Sequence, residues 1–321
     1  MKNTLPAFSV VIEWENARLS ELDRAKAMLS TLAQQIASLS DQLEAPPELI
    51  VLYSPEAIKP SLVQGLLDSA FEGQDGIDRR LLPTEKGTYY KQKNYGASIA
   101  RHDLVMFLDS DVVPESEWLT TLLSSFHDPN VAIACGNTYI DAKNIYSKAF
   151  ALFWFFPLRS KQAELLPSPY FFANNVVFRR DLFLRYKFPD LPYLRGQCTA
   201  LARALTDDGH RIYIQNGARV SHPPPNGLAH FVKRALCEGH DLAHRTKKSA
   251  GFDFPRGALS RYRTFLRDSS RRVWRDRKEV GLGVTGAIAA SGIAFSYYSL
   301  CLIGETITQV KPNYVREKLA V

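Results

Sequence analysis

The alternation of apolar and polar positions along this chain predicts an α/β protein. Ser9-Val10-Val11-Ile12 is a short β-branched run that predicts a buried strand. The spacing then turns helical, with Leu22, Leu29, Leu32, Ile36, Leu39 and Leu43 recurring near 3.6 residues and a capping box expected from Ser20 and Asp23. Pro46-Pro47 ends that helix, and Glu48–Tyr53 reads as a second strand. Helices are expected over about Ser61–Phe71, after Pro60, and Tyr90–Arg101. The latter leads into Leu104–Leu108, an uninterrupted apolar strand. Further on, the pattern predicts a helix over Trp118–Phe126, strands at Val131–Cys135 and Ala173–Arg179, a helix over Thr199–Thr206 and a strand at Arg211–Ile214. Strands apolar on both faces and alternating with helices imply a mostly parallel, Rossmann-like sheet with helices on both faces.

The sharpest candidate chemistry follows the apolar strand, in Val105-Met106-Phe107-Leu108-Asp109-Ser110-Asp111. Two carboxylates two positions apart repel one another in a cleft. A hard divalent cation such as Mn²⁺ or Mg²⁺ relieves that repulsion and can bridge a diphosphate. Open α/β sheets collect ligands at the carboxyl ends of their strands, where this pair lies. Solvated aspartates in a strand-to-loop turn are the competing reading.

Around this pair the sequence resembles the family 2 glycosyltransferases of the GT-A fold. The resemblance runs through Asn94-Tyr95-Gly96, Phe107–Asp111, Pro114 with Trp118-Leu119, Asn174–Arg180, Gly209–Ile212 and Val220-Ser221-His222, covering roughly residues 8 to 240. It implies a nucleotide-sugar donor, with Asp109 at the ribose or metal and Asp111 on the metal that holds the diphosphate. It also implies a further metal or diphosphate contact at His222, a donor-side role for Asn94 and inversion at the anomeric carbon.

Three departures from the family pattern matter. The first loop reads Glu13-Trp14-Glu15-Asn16, where Trp14 could stack on a base and Glu15 could accept from base or ribose. Tyr53-Ser54 stands where an Asp pair is usual after the second strand. Gln197-Cys198 replaces the Glu-Asp that supplies the general base. Glutamine takes no proton, and a thiol of ordinary pKa, about 8.5, is a poor substitute. Three explanations stay open: another carboxylate serves (Asp190, Asp207 or Asp208), the acceptor needs no base, or the protein is a glycosyltransferase-like binding or scaffold protein without activity. Cys198 as a covalent nucleophile lacks an evident activating partner, and His240 with His244 reads as a surface pair rather than a metal site.

Composition adds an expected contact surface by its charge distribution. Of 40 basic and 33 acidic residues, nine basic and two acidic lie between Arg256 and Lys278, leaving 31 of each elsewhere. All of the excess charge is in that segment. Directly after it, Val280–Gly304 holds no charged residue and is long enough as a helix to cross the roughly 30 Å hydrocarbon core. Basic residues and Trp274 beside an apolar helix fit the anionic cytoplasmic leaflet. The expectation is a membrane surface contact through residues 256–304, peripheral or single-pass, at the cytoplasmic face of the cell membrane. The acceptor would be lipid-linked or a cell-envelope glycan, and no nucleic-acid motif accompanies the basic stretch. The resulting organisation is a core over 1–222, a basic helical segment over 223–278 and an apolar tail over 279–321. Four scattered cysteines without CxxC spacing predict neither disulfides nor a zinc site, and the N-terminal run reads as a strand rather than a secretory signal.

Overall fold

A computed structural model describes residues 4–14, 22–85, 89–247 and 254–319. Glu15 and Ser20, named above for a donor contact and for helix capping, lie outside the described residues. The chain divides into two compact units: residues 1–139, 159–190 and 197–222 form one, and residues 140–158, 191–196 and 223–321 form the other.

The first unit is built on a nine-stranded sheet. Its strands are β1 (Phe8–Glu13), β2 (Glu48–Tyr53), β3 (Asp78–Pro83), β4 (Leu104–Asp109), β5 (Val113–Pro114), β6 (Ile133–Ile140), β7 (Leu165–Ser168), β8 (Asn175–Arg179) and β9 (Ile212–His222). They run in the order β3-β2-β1-β4-β8-β6-β9-β5, with β7 also on β9. The β3-β2-β1-β4 half is parallel. From β8 onward the described pairings are antiparallel, so the expectation of a mostly parallel sheet holds for only one half.

Side-chain alternation sends the parallel strands' residues to two cores. Val10, Ile12, Leu49, Val51, Met106 and Leu108 meet the inward residues of α1 (Leu22–Leu39), α2 (Pro60–Ala70) and α4 (Trp118–Ser124). Val11, Ile50, Leu52, Val105 and Phe107 face α3 (Tyr89–Ile99), α6 (Arg180–Tyr186) and α7 (Gln197–Asp207). Gly96 lets α3 lie against β1, because a Cβ there would overlap the Val11 side chain. Asn94, two residues earlier, clamps the backbone of Phe188 from both amide atoms, at 2.8 and 3.0 Å.

The second unit is helical: α5 (Ile145–Phe153), α8 (Gly227–Lys247), α9 (Arg256–Asp276), α10 (Val284–Val310) and α11 (Tyr314–Lys318). Helices α8 and α10 approach closely through two glycines. A Cβ on Gly239 would run into the Cys301 carbonyl, and one on Gly304 into the Leu236 backbone. Arg272 of α9 caps the end of α5, donating to the carbonyls of Trp154 at 2.7 Å and Phe156 at 2.8 Å. His240 is buried at 1% exposure with Nδ1 3.1 Å from the Thr308 hydroxyl, which overturns the surface reading of the His240–His244 pair. Burial pushes the His240 imidazole down to about 4, so it is neutral near pH 7. The four cysteines are unpaired.

Candidate active site at the carboxyl end of β4

Parallel register brings Glu13 of β1 beside Asp109 of β4, both at the carboxyl ends of their strands and both buried. Asp109 has the parity of Val105 and Phe107, so it points to the face that α3 covers. There its Oδ1 accepts from the Tyr89 hydroxyl at 2.7 Å and lies 2.9 Å from the Lys93 ammonium. Lys93 is fully buried, 4.7 Å from the Tyr89 ring centroid and 5.6 Å from that of Phe107. A buried ammonium in an aromatic sleeve is stable only beside a negative partner, and Asp109 is that partner. Burial and the Asp109 charge hold the Tyr89 phenol well above its usual range, so Tyr89 stays a donor.

Asp111, two residues on, differs. It lies past the strand end, is 7% exposed, and its Oδ1 has no hydrogen-bond partner. Burial pushes its carboxyl up; His222 and Arg24 pull it back only in part, while the Asp109 charge adds to the rise. The turn that carries it is fixed by Arg24 of α1. Its Nε donates to the Asp111 carbonyl at 2.9 Å, and its guanidinium also donates to the Ser221 carbonyl at 2.7 Å. One side chain therefore ties the Asp109–Asp111 turn to the end of β9, where His222 sits. Behind this turn, Trp118 donates to Asn175 at 2.8 Å, and both are buried.

Among the described residues no three His, Cys, Asp or Glu side chains converge as a cation-binding set. Asp109, Asp111 and His222 are therefore not a ready three-ligand site. The arrangement suits a cation held by one or two carboxylates, with its remaining ligands from phosphate oxygens and water, as Mg²⁺ and Mn²⁺ accept. The orphaned, buried Oδ1 of Asp111 is the observation that fits such a cation.

Other residues named from the sequence are placed differently. Trp14 is 1% exposed within the core beneath β1, so its ring is not presented to a nucleotide base. Asn94 has its amide on the Phe188 backbone, a structural tie rather than a donor contact. Gln197 opens α7, is 4% exposed, and has an Oε1 without a hydrogen-bond partner. Cys198 has its Sγ 3.5 Å from the Tyr90 hydroxyl, and burial pushes its thiol up to about 11. It is a neutral thiol, neither base nor nucleophile. Asp190 is a largely exposed carboxylate 3.1 Å from Lys91, on the same helix as Tyr89 and Lys93. Asp207 pairs with Arg203, and Asp208 accepts from Tyr186.

Comparison with known proteins gives this geometry a context. The model of the family described as "Glycosyl transferase family 2" matches residues 29–186, about half of the chain. The chain belongs to the family 2 glycosyltransferases. This family 2 chain is 28% identical over 156 residues to the pre-mycofactocin glycosyltransferase of Mycobacterium tuberculosis, a match over 47% of this chain and 33% of that protein. The match thus spans only a third of that relative. It is 21% identical over 207 residues to the glucosyl-dolichyl phosphate glucuronosyltransferase of Haloferax volcanii, covering 60% of this chain and 64% of that one. Among solved structures it is similar to the mannosyltransferase PcManGT from Pyrobaculum calidifontis in complex with GDP-Man and Mn²⁺, with a TM-score of 0.56 and 14% identity over 95% of this chain and 87% of that one. TarS 1-349 of S. aureus gives a TM-score of 0.51 at 15% identity, over 95% of this chain and 91% of that one. Identities this low establish the fold, which is GT-A.

Proposed function

We propose that this protein is a metal-dependent glycosyltransferase that moves a sugar from a nucleotide-sugar donor to a lipid-linked or cell-envelope acceptor at the cytoplasmic face of the cell membrane. The observation that carries the reading is Asp111, a buried carboxylate with an unpartnered oxygen, next to a second aspartate whose charge Lys93 already balances. A buried charge left over in this way marks a place for a missing positive partner.

Asp111 would hold Mn²⁺ or Mg²⁺ together with the donor's phosphate oxygens, with Asp109 and His222 beside it. The bound cation would neutralise the charge that develops on the departing nucleoside diphosphate. Lys93 and Tyr89 hold the Asp109 carboxylate in place, and Arg24 holds the turn, so the acidic edge is set before donor binds. Of the side chains considered for proton removal, Gln197 does not titrate and Cys198 stays protonated. Of the carboxylates Asp190, Asp207 and Asp208 we assign Asp190 as base, supported by its tie to Lys91 on α3, the helix that also carries Tyr89 and Lys93. Inversion at the anomeric carbon follows from the family pattern. Two features support a lipid-linked acceptor: the name of the Haloferax relative, and the apolar α10 beside the basic α9.

The test is donor turnover. Purified protein is incubated with Mn²⁺ and a panel of sugar nucleotides, with and without lipid acceptors, and nucleotide release is followed. Release that needs the cation, rises with acceptor and disappears in Asp111→Asn supports transfer. Asp190→Asn should lower turnover by about 10²–10⁴-fold with little change in donor affinity. A second reading, a donor-binding protein without activity, is favoured by Gln197 and Cys198 at the positions of the usual base. Donor binding without release, whatever the acceptor, would select it.

A further inference from the structure

Helix α10 is 27 residues long, and an 18-residue stretch of it has a mean hydropathy of 1.5, enough by length and composition to cross a membrane. Its packing argues against a crossing. One side is locked onto α8 at Gly239 and Gly304, where backbones nearly touch. Another side meets α9, antiparallel, through Tyr262 to Ser299 at 3.0 Å, the Phe265–Tyr298 ring stack and the Arg261–Glu305 ion pair. Driving α10 through a bilayer in this arrangement would take the arginines of α9 into hydrocarbon.

The outward side of α10 is a separate surface. Val284, Ile288, Phe295, Ile303 and Val310 are each at least half exposed. Their spacings of four, seven, eight and seven residues place them in one stripe, about 39 Å long at helical rise. No charged residue interrupts the exposed side; Glu305 is buried and paired. On α9, Arg256, Arg263, Arg267 and Arg271 are exposed at spacings of seven, four and four, with Leu259 and Trp274 exposed among them. A continuous apolar stripe next to a basic one, with an exposed tryptophan, matches an interface of acyl chains and anionic headgroups.

The geometry points to α10 as an in-plane anchor: it lies along an anionic membrane with its Val284–Val310 stripe among the acyl chains and the α9 arginines on the headgroups, and does not span. This rests on the reading that the acceptor is held at a membrane, and its test uses neither donor nor acceptor, so its outcome is independent of the turnover assay. Full-length protein is floated with vesicles of phosphatidylglycerol and phosphatidylcholine, or of phosphatidylcholine alone. Binding should require the anionic lipid and weaken with salt. Ile288→Asp with Phe295→Asp should cut the vesicle-bound fraction about tenfold or more, and Arg263→Glu with Arg267→Glu about fivefold or more per charge.

Nitroxide labels on single cysteines at Val284, Ile288, Phe295, Ile303 and Val310 then report depth, and so decide the matter even if the acidic variants fail to fold. Similar shallow depths at all five positions fit the in-plane helix. A profile deepest at Phe295 and shallow at both ends would mean a span and overturn it. So would labels that stay out of lipid and broaden one another in vesicle-free protein, the signature of a second copy on this face.

Discussion

Two buried carboxylates at opposite ends of the same sheet have opposite fates. Glu48 opens β2 at 1% exposure, and every polar neighbour is turned toward it. It accepts from Ser9 at 2.6 Å, Arg80 at 2.5 Å, Arg101 Nε at 2.9 Å and the Arg101 amide at 3.0 Å. Burial works to raise its pKa, but these bonds and charges outweigh it and hold the carboxyl below its usual value. Asp111, beyond the carboxyl end of β4, is almost as buried, has an oxygen without a partner, and is held above its usual value. The fold has the means to satisfy a buried carboxylate and does so at the amino end. What it leaves unsatisfied at the carboxyl end is capacity for a ligand.

The sharpest way to break this comparison is Asp111→Asn, which should lower nucleotide-sugar turnover by about 10³-fold or more if Asp111 holds the charge-neutralising cation as proposed. Glu48→Gln should do the reverse: turnover at saturating donor unchanged, but folding stability lower by about 3 kcal/mol in a denaturant melt, because Arg80 and Arg101 lose their anion. Lys93→Met probes the intermediate case by leaving Asp109 buried without its ammonium partner. It should cost about 3 kcal/mol or more in the same melt, largely recovered by adding Asp109→Asn. Smaller and opposite in sign, Asp111→Asn in the absence of metal and nucleotide should raise stability by about 1–2 kcal/mol, as a buried charge that His222 and Arg24 offset only in part is lost.

The smallest effect concerns pH. Because the folded-state pKa of Glu48 is depressed below the ordinary glutamate value, its contribution is present above that value and is lost as pH falls through the folded one. Acid unfolding curves of wild type and Glu48→Gln should therefore draw together as pH falls below the ordinary glutamate range.

Much of this was legible in the residues. Glu48–Tyr53 forms a strand over that full span because it is apolar on both faces and starts after two prolines. Strand β3 gave no signal, since Asp78, Arg79 and Arg80 are charged and partly exposed; its register with β2 makes it a strand. Strand β9 was foreseen as four residues and runs to eleven, because Gln215, Asn216 and Gly217 interrupt the apolar pattern while the ladder continues. In the site, Asp109 and Asp111 stood out as acids ending an apolar run. Lys93 and Arg24 did not: a lysine in a helix ordinarily faces water, and Arg24 reaches its partners across 87 and 197 positions of sequence. Only the three-dimensional pairing reveals that one aspartate is already neutralised and the other is not.

Calorimetric titration of Mn²⁺ into the protein, with UDP or GDP present, tests that difference most directly. Wild type should take up the cation, and Asp111→Asn, folded and at least as stable, should not. Equal uptake by the two proteins, or none by wild type with either nucleotide, would contradict the assignment of Asp111 as the residue that holds the metal on the donor.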